Sequence, residues 1–420
     1  MTLKEELEIL RGEPIQVFEG DPMDVPCIET SDPEKLCKHP VVSVHMITYN
    51  HEPYIRQAIE GVMMQKTDFE FELIIGEDCS YDETREICFE YQKKYPDKIR
   101  VLWWHENVSK FGGNGRRVRA RCRGEFIAFC EGDDYWIDPL KLQKQVDVMR
   151  KHPNVGFCFC DGKMQINGTE YHWGEDCAYS AGVVPSREFM LKHLLGVRYR
   201  QQPFANATSL LTASILVRRK AVMAVMQKFT IFKWSLVLGD STLWLGLASI
   251  LDCYYMPDMV CMYNQIGTGV CQSRALQLSI DALIVRIYYF LAYFERRLFD
   301  MPVWMIVKGY RTLMIRPKRK WLGCNFREHA KRCLGLPHIG DILRSRHVWC
   351  VLLAEWTFNR PFASFFNDFF DYCVNIHKDP DWVLYEYARL GLTYRCDKGS
   401  ITFIGIGRGV MRRIRKWLFS

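Results

Sequence analysis

The stretch FIAFCEGDDYWIDPLKLQKQV, residues 126–146, decides the fold, because an apolar run ends there in closely spaced carboxylates. Glu131, Asp133 and Asp134 stand at what reads as the end of a buried strand. Such carboxylates raise one another's pKa and destabilise a fold unless a cation balances them. A solvated turn is the ordinary alternative, but we interpret the cluster as a cation site at the edge of a sheet.

The composition is that of a packed globular chain. It has 420 residues, 48% of them hydrophobic and 14% aromatic, enough for two domains or one large domain with an appendage. The 17 cysteines form no C-x-x-C pair and no cysteine–histidine spacing typical of zinc sites. Several stand inside apolar runs, where a free thiol behaves as a small hydrophobe. This pattern favours a reducing cytosol.

The apolar segments do not predict a membrane span. The N-terminus MTLKEELEIL is acidic where a secretion signal needs a basic region. The two most apolar later segments, IDALIVRIYYFLAYF and VWCVLLAEWTF, are too short or carry charged residues. We therefore expect a cytoplasmic protein, soluble or peripheral at the inner face of the cell membrane, with residues 1–40 as a polar N-terminal extension.

Strand-like and helix-like segments alternate after residue 40. The strand-like runs are 41–48, 71–76, 99–104, 125–130 and 155–160. The helix-like runs are about 53–65, 82–95, 114–122 and 138–151. This alternation predicts an α/β fold, a mainly parallel sheet flanked by helices on both faces. Such Rossmann-like sheets bind their ligands at the carboxyl ends of the strands.

Three of these strand ends carry polar residues: TYNHEPYI (48–55), EDCSYDET (77–84) and EGDDYW (131–136). Asn50 and Glu52 have an ordinary alternative role as caps of the first helix. Glu77 and Asp78 exceed what a cap requires. Mg²⁺ and Mn²⁺ prefer oxygen ligands, and Mg²⁺ uses one or two carboxylates with substrate phosphates completing its shell. The sequence therefore predicts a metal–diphosphate site.

Five segments, in order and spacing, resemble those of bacterial glycosyltransferase family 2, whose members have the GT-A fold. The segments are VSVHMITYNHEPYIRQAIEGVMMQ, FELIIGEDCSYDETREIC, GEFIAFCEGDDYWIDPLKLQKQV, SILVRR and LGDSTLWLGLA. The resemblance implies a GT-A domain over residues 41–270. It also implies an inverting, metal-dependent enzyme that moves a sugar from a nucleotide-diphosphate donor, a UDP-sugar, to a hydroxyl acceptor, in the assembly of bacterial cell-surface polysaccharide such as capsule or O-antigen.

The same resemblance implies roles for particular side chains. It places Asp133 and Asp134 on a Mn²⁺ or Mg²⁺ ion and makes Asp240 the catalytic base that deprotonates the acceptor. The residues implied at the donor are Thr48, Tyr49, Asn50, Glu52, Asp78, Glu131 and Asp133. Asp240 also reads as the N-cap of a helix, and both roles can hold at once.

Two departures from the family pattern leave a second interpretation open. Gly239 stands where many members carry a glutamate before the base, and Gln265 and Ile266 stand where a histidine is expected. The alternative is a nucleotide-sugar-binding partner protein of a membrane-associated assembly complex, without turnover of its own. A nucleotidyltransferase is disfavoured, because TYNHEPYI lacks the glycine-rich phosphate loop that it would need.

Basic residues gather in two further places. The segment FGGNGRRVRARCRG carries five arginines that cannot all face one ligand at helical spacing, so we expect most of them on a solvated face. Residues 271–420 read as helical and basic, and 408–420 as a short amphipathic helix for an anionic membrane surface, or an ordinary packed helix. A glycan or lipid-linked glycan acceptor fits that surface. Nucleic acid is not expected, because no binding motif accompanies the charge.

Overall fold

The computed structural model describes residues 27–108, 113–166, 168–173, 179–195, 210–234, 236 and 239–264, and five single positions between 281 and 289. Two compact units divide the chain. One comprises Ile15–His193 and Gln201–Leu278, and the other Met1–Pro14, Leu194–Arg200 and Ser279–Ser420. The basic helix expected at 408–420 lies outside the described residues, as does almost all of 271–420.

Eleven strands are described within the first of these units. They are β1 Ile28–Thr30, β2 Val42–Thr48, β3 Phe71–Glu77, β4 Ile99–Trp103, β5 Phe126–Phe129, β6 Tyr135–Trp136, β7 Val155–Ile166, β8 Thr169–Trp173, β9 Gly182–Val184, β10 Leu216–Arg218 and β11 Asp252–Asn264. The helices are α1 Ile55–Met63, α2 Thr84–Lys94, α3 Gly113–Arg121, α4 Lys141–Lys151, α5 Ser186–Leu195, α6 Arg219–Lys228 and α7 Gly239–Ala248. Short 3-10 turns occupy Thr212–Ser214 and Thr230–Lys233.

The strands form one mixed sheet in the order β1-β4-β3-β2-β5-β10-β7-β11-β6, with β8 on β7 and β9 on β11. β4, β3, β2 and β5 run parallel, and so do β7 and β11. β10 is antiparallel between β5 and β7. The predicted α/β fold is confirmed, but the sheet is mixed: four of the ten described strand pairings are parallel, and six are antiparallel. Four of the five expected strands and all four expected helices lie within a few residues of the observed elements, whereas β7 extends six residues beyond the expected end at residue 160.

Burial on both faces explains why these strands read as continuous apolar runs. In β2, Val42, Val44 and Met46 are fully buried on one face, and Ser43 and His45 are buried on the other. α1 covers the first of these faces, because its apolar residues recur at helical spacing and are fully buried; they are Ile55, Ala58, Ile59 and Val62.

None of the helices that the structure describes combines the length and apolar character needed to cross a bilayer.

A buried ion network ties the amino-terminal ends of β2, β3 and β4 together. The Glu72 side chain is fully buried and accepts a hydrogen bond of 2.6 Å from the Ser43 hydroxyl. The same carboxylate accepts from Arg123 Nη2 at 2.6 Å and from Arg100 Nη1 at 3.2 Å. A charge this deep requires such partners, because an unpaired buried carboxylate is strongly destabilising.

Replacing Glu72 with alanine is expected to destabilise the protein by about 3 kcal/mol, because Arg123 loses its carboxylate partner and the buried Arg100 keeps only Glu29. Urea denaturation followed by circular dichroism measures the change. Glu90→Ala is the matched control, since Glu90 pairs with Arg56 on the surface with 58% of its side chain exposed. A loss no larger for Glu72→Ala than for Glu90→Ala would show that the network does not stabilise the fold.

Candidate active site

The three acidic strand ends lie side by side, because β2 sits between β3 and β5 in the sheet. The backbone N–H of Asp78 donates to the carbonyl of Thr48 at 3.1 Å, and that of Gly132 donates to the carbonyl of Ile47 at 2.9 Å. Both acidic turns are therefore pinned directly to the end of β2. The sheet brings together EDCSYDET, TYNHEPYI and EGDDYW at one edge, as the sequence predicts.

The carboxylates of Glu131, Asp133 and Asp240 form an electrostatic cluster. Burial, together with the charges of Asp133 and Asp240, raises the pKa of Glu131 to about 8. Burial also raises the pKa of Asp240, although its carboxylate accepts a hydrogen bond of 2.6 Å from the backbone N–H of Ser241. Asp240 lies in the first turn of α7, which begins at Gly239, so the N-cap interpretation is wrong; its carboxylate accepts the N–H of the adjacent Ser241. The charge of Asp240 acts on Glu131, so the start of α7 lies near the acids after β5.

Asp134 is more buried than Asp133: 3% of Asp134 is exposed, against 20% of the Asp133 side chain. Its Oδ1 accepts a hydrogen bond of 3.0 Å from the backbone N–H of Asn264, and the Asn264 amide donates to the carbonyl of Asp133 at 2.7 Å. Burial and the nearby acids raise the pKa of Asp134 well above its usual range. The solvated-turn alternative is wrong, because this acid is buried and joins the turn to the end of β11.

Gly132 has no room for a side chain. A Cβ atom there would lie 2.6 Å from Thr48 Oγ1 and 2.9 Å from His51 Nδ1. Both of these buried atoms lack a hydrogen-bond partner among the described residues. The acidic turn therefore packs directly on the loop after β2, and glycine is required by this close approach.

Trp136, two residues after Asp134, anchors the acidic turn to the core. Trp136 is 1% exposed, and its indole N–H donates to the carbonyl of Ala213 at 2.9 Å. The Lys141 ammonium lies 4.2 Å from the centre of the Trp136 ring and donates to the Gln145 amide oxygen at 2.7 Å. The acidic turn is thus attached to the core through the buried Trp136 side chain.

The acids after β3 are paired with arginines. Glu77 is fully buried, and its carboxylate accepts from Arg85 Nε at 2.5 Å. Asp78 Oδ1 accepts a hydrogen bond of 2.9 Å from the backbone N–H of Val108 and lies 3.9 Å from Arg117 Nη2. Glu77 therefore has a structural partner, whereas Asp78 sits at the strand end beside Thr48, where the sequence places it at the donor.

Asn50 and Glu52 join the two loops instead of capping α1. Asn50, at φ 53°, accepts from the Tyr81 N–H at 2.9 Å through its side chain, and Glu52 accepts from the Glu83 N–H at 3.3 Å. The exposed Tyr49 ring meets the Tyr81 ring edge-on at 6.2 Å. No side chain caps α1, so the cap interpretation of Asn50 and Glu52 is wrong. The donor roles of Tyr49, Asn50 and Glu52 stay predictions.

The expectation of a solvated arginine face on α3 is wrong. Arg116 is 6% exposed and Arg117 is fully buried. Arg117 donates to the carbonyl of Glu77 at 2.8 Å and to the Asn114 side chain at 2.7 Å, and Arg116 donates to the carbonyl of Phe232 at 2.9 Å. These guanidinium groups satisfy carbonyl oxygens at strand and turn ends, a use that helical spacing alone does not reveal.

His51 is a site residue that our sequence interpretation missed. Its Nε2 lies 3.9 Å from Oδ2 of Asp133, and burial lowers its pKa against the opposing influence of Asp133 and Asp82. The available signal is TYNHEPYI, where a histidine stands three residues after the end of β2 at Thr48.

The oxygen atoms of the acidic side chains after β5 provide part of the coordination shell that a hard cation requires. Among the residues that the structure describes, no three His, Cys, Asp or Glu side chains converge closely enough to hold a metal ion by themselves. Raised carboxyl pKa values and the unpartnered Thr48 hydroxyl fit a group that binds there and brings positive charge. This arrangement suits an ion held by one or two carboxylates and completed by phosphate oxygens.

Glu131→Gln is expected to stabilise the metal-free protein increasingly as pH rises from about 5 to about 8. The folded protein holds the Glu131 proton up to a pKa of about 8, whereas the unfolded chain releases it near its ordinary pKa, so ionisation costs stability across this window. We expect the difference in unfolding free energy to grow by about 1–3 kcal/mol. Urea titrations in EDTA at several pH values measure it, and parallel curves for the two proteins would contradict the assignment.

The strand ends that carry Asp78 and Glu131 lie in the part of the chain that matches a known family model. Residues 43–224 match the family model "Glycosyl transferase family 2". The uncharacterized protein Rv1520 of Mycobacterium tuberculosis is 38% identical over 169 residues, covering 39% of this chain and 47% of that protein. The dTDP-rhamnosyl transferase RfbG of Shigella flexneri is 32% identical over 110 residues, covering 25% of this chain and 36% of that protein.

The fold also matches a solved glycosyltransferase-like structure. S. aureus TarS 1-349 in complex with UDP-GlcNAc superimposes with a TM-score of 0.51 at 17% identity, covering 74% of this chain and 83% of that one. The chain spans less than half the length of the two curated relatives named above. Residues 43–224 therefore carry a glycosyltransferase family 2 domain, and the sheet order with its adjacent acidic strand ends agrees with the GT-A fold of that domain.

Proposed function

We propose that this protein is an inverting glycosyltransferase that moves a sugar from a nucleoside-diphosphate donor, a UDP-sugar, to a hydroxyl acceptor. The observation that carries the proposal is the convergence of three strand ends at one sheet edge, near enough to Asp240 of α7 for its charge to raise the pKa of Glu131. The family match and the UDP-GlcNAc bound to TarS support a nucleotide-sugar donor.

The nucleoside belongs at the β2 and β3 ends. There Asp78 is buried beside Thr48, and its carboxylate is oriented by the Val108 N–H and by Arg117. The exposed Tyr49 ring, Asn50 and Glu52 border the same position. A buried carboxylate next to an aromatic ring can accept a hydrogen bond from a base N–H while the ring packs on the base, so this side of the site suits a pyrimidine nucleoside.

The diphosphate belongs at the β5 end, where negative charge is not neutralised by the protein. In the described part of the chain, no lysine or arginine forms an ion pair with Glu131 or Asp133. We assign Mn²⁺ or Mg²⁺ to Asp133 and Asp134, with Glu131 toward the donor. Asp133 is the more accessible ligand, because Asp134 Oδ1 already accepts the Asn264 N–H. When bound, the ion would supply positive charge to the departing diphosphate.

Asp240 is the group that receives the acceptor proton. A carboxyl pKa raised by burial brings it closer to the working pH, where a general base is most effective. A single carboxylate opposite the leaving diphosphate serves one direct displacement, which inverts the anomeric centre.

The biological setting follows from the sequence and from the relatives. RfbG is a rhamnosyl transferase, and we propose for this chain a role in bacterial cell-surface polysaccharide assembly on a glycan or lipid-linked glycan acceptor. A basic C-terminal helix would then bring the enzyme to the inner face of the cell membrane from the cytoplasm. The alternative, a binding partner without turnover, shares the donor site and differs only in chemistry.

Donor binding is expected to depend on both nucleotide and metal. In a thermal-shift panel of UDP, dTDP, GDP and CDP with Mn²⁺ or EDTA, UDP with Mn²⁺ should raise the melting temperature most, because Mn²⁺ relieves the repulsion at the β5 end while the base binds at Asp78. The panel uses nucleoside diphosphates without a sugar, so the shift in melting temperature reports binding and does not depend on turnover. A panel with no nucleotide effect and no metal effect would contradict the proposed function.

Asp240→Asn is expected to lower kcat by about 10²–10⁴-fold while the dissociation constant for UDP with Mn²⁺ changes less than about 3-fold, because an amide keeps the shape but accepts no proton. Release of UDP from UDP-sugars, and calorimetry, measure the two quantities. Asp258→Asn, a surface residue paired with Lys144, is the control. Donor binding by the wild type without turnover on any acceptor would favour the binding-partner alternative.

A further inference from the structure

His51 is held rigidly by the backbone around it. Its N–H donates to Thr84 Oγ1 at 2.8 Å, and its carbonyl accepts from the N–H groups of Tyr54 and Ile55, each at 2.8 Å. The Thr84 hydroxyl is in turn bonded to Asp82 Oδ1 at 2.5 Å. The imidazole therefore projects from a fixed point between the ends of β2 and β3, with 16% of its side chain exposed.

The opposite partner, Asp133, is fixed to the same strand. Gly132 donates its N–H to the carbonyl of Ile47, and the carbonyl of Asp133 accepts the Asn264 amide. The separation of 3.9 Å between His51 Nε2 and Asp133 Oδ2 is therefore set by the backbone of β2 and its neighbours. A shift of about 1 Å, within side-chain freedom, brings it to hydrogen-bond length.

The two imidazole nitrogens face different groups. Nε2 faces the carboxylate of Asp133, whereas Nδ1 is buried beside Gly132, close to Thr48 Oγ1. Neither Nδ1 nor Thr48 Oγ1 has a hydrogen-bond partner among the described residues. A neutral imidazole that carries its proton on Nε2 directs that N–H at the carboxylate of Asp133.

We propose that His51 is a positioning residue for the metal site: its Nε2–H donates to Asp133 and orients that carboxylate toward the divalent cation. Outer hydrogen bonds of this kind fix ligand orientation, and their loss typically costs about 10–100-fold in metal affinity. The inference rests on the proposed function, because it takes Asp133 as a metal ligand. His51 itself contacts neither the sugar nor the reacting atoms in this assignment.

Three substitutions at position 51 separate this role from plain packing. In His51→Gln the side-chain amide N–H reaches the place of Nε2, whereas in His51→Asn it stops near the place of Nδ1. His51→Ala removes both. We expect Mn²⁺ affinity in the presence of saturating UDP to fall by about 10–100-fold in the Ala and Asn variants and to stay within about 3-fold of wild type in the Gln variant. His39→Ala, an exposed histidine before β2, is the control.

Mn²⁺ binding is measured directly by the electron paramagnetic resonance signal of the free ion, and folding by the melting temperature in EDTA. If the Ala variant is a positioning defect, excess Mn²⁺ should restore most of its turnover, and its UDP affinity in EDTA should equal that of the wild type. Equal Mn²⁺ affinity in wild type and Ala variant overturns the inference, and so does an equal loss in the Gln and Ala variants.

Failure of the proposed function gives a different result. A wild-type chain that binds UDP but no Mn²⁺ overturns the role of His51 and leaves a metal-independent transferase. A wild-type chain that binds Mn²⁺ with UDP, together with Ala and Asn variants that bind it equally well, overturns the role of His51 alone. A wild-type chain that binds neither overturns both proposals.

Discussion

Repulsion among the carboxylates at the end of β5 is the constraint on which the site depends. Burial raises the pKa of Glu131, Asp134 and Asp240, so the folded chain holds these acids at a cost to its own stability. Packing of Trp136 offsets this loss of stability, because Trp136 is buried against α1 and the turn before β10. Acids that a fold keeps together at a cost to its stability support the proposal of a cationic ligand at this edge.

The two sides of the site treat negative charge in opposite ways. After β3, Glu77 has an arginine within hydrogen-bond distance, and the Asp78 carboxylate has one at 3.9 Å. After β5, within the described residues, the acids have only His51 as a basic neighbour, at 3.9 Å. Under the proposed function, the neutralised side would receive the uncharged base, and the unneutralised side would receive the diphosphate together with a cation. This asymmetry supports the proposed direction of the donor across the sheet edge.

The arginines of α3 show how far sequence patterns reach. Their spacing predicts a solvated helix, since arginine is rarely buried without a partner. In the structure, Arg117 is fully buried, and the carbonyl oxygen that accepts from its Nη2 at the end of β3 belongs to Glu77, 40 residues away in the chain. Nothing local in RRVRARCRG indicates that partner. His51 was missed for a related reason, because its neighbours Gly132 and Asp133 come from another strand end.

The sequence by itself determined the sheet, its helices and the three polar strand ends, because apolar periodicity and acidic clusters are local signals that survive without tertiary contacts. It also placed Asp78, Glu131 and Asp133 in one region, since parallel strands end at one edge, whereas Asp240 entered only through the family resemblance. Only the tertiary structure decided which of these acids is neutralised, that Asp134 turns inward to Asn264, and that His51 faces Asp133. Such pairings depend on side-chain distances between separate strands, which residue order does not encode locally.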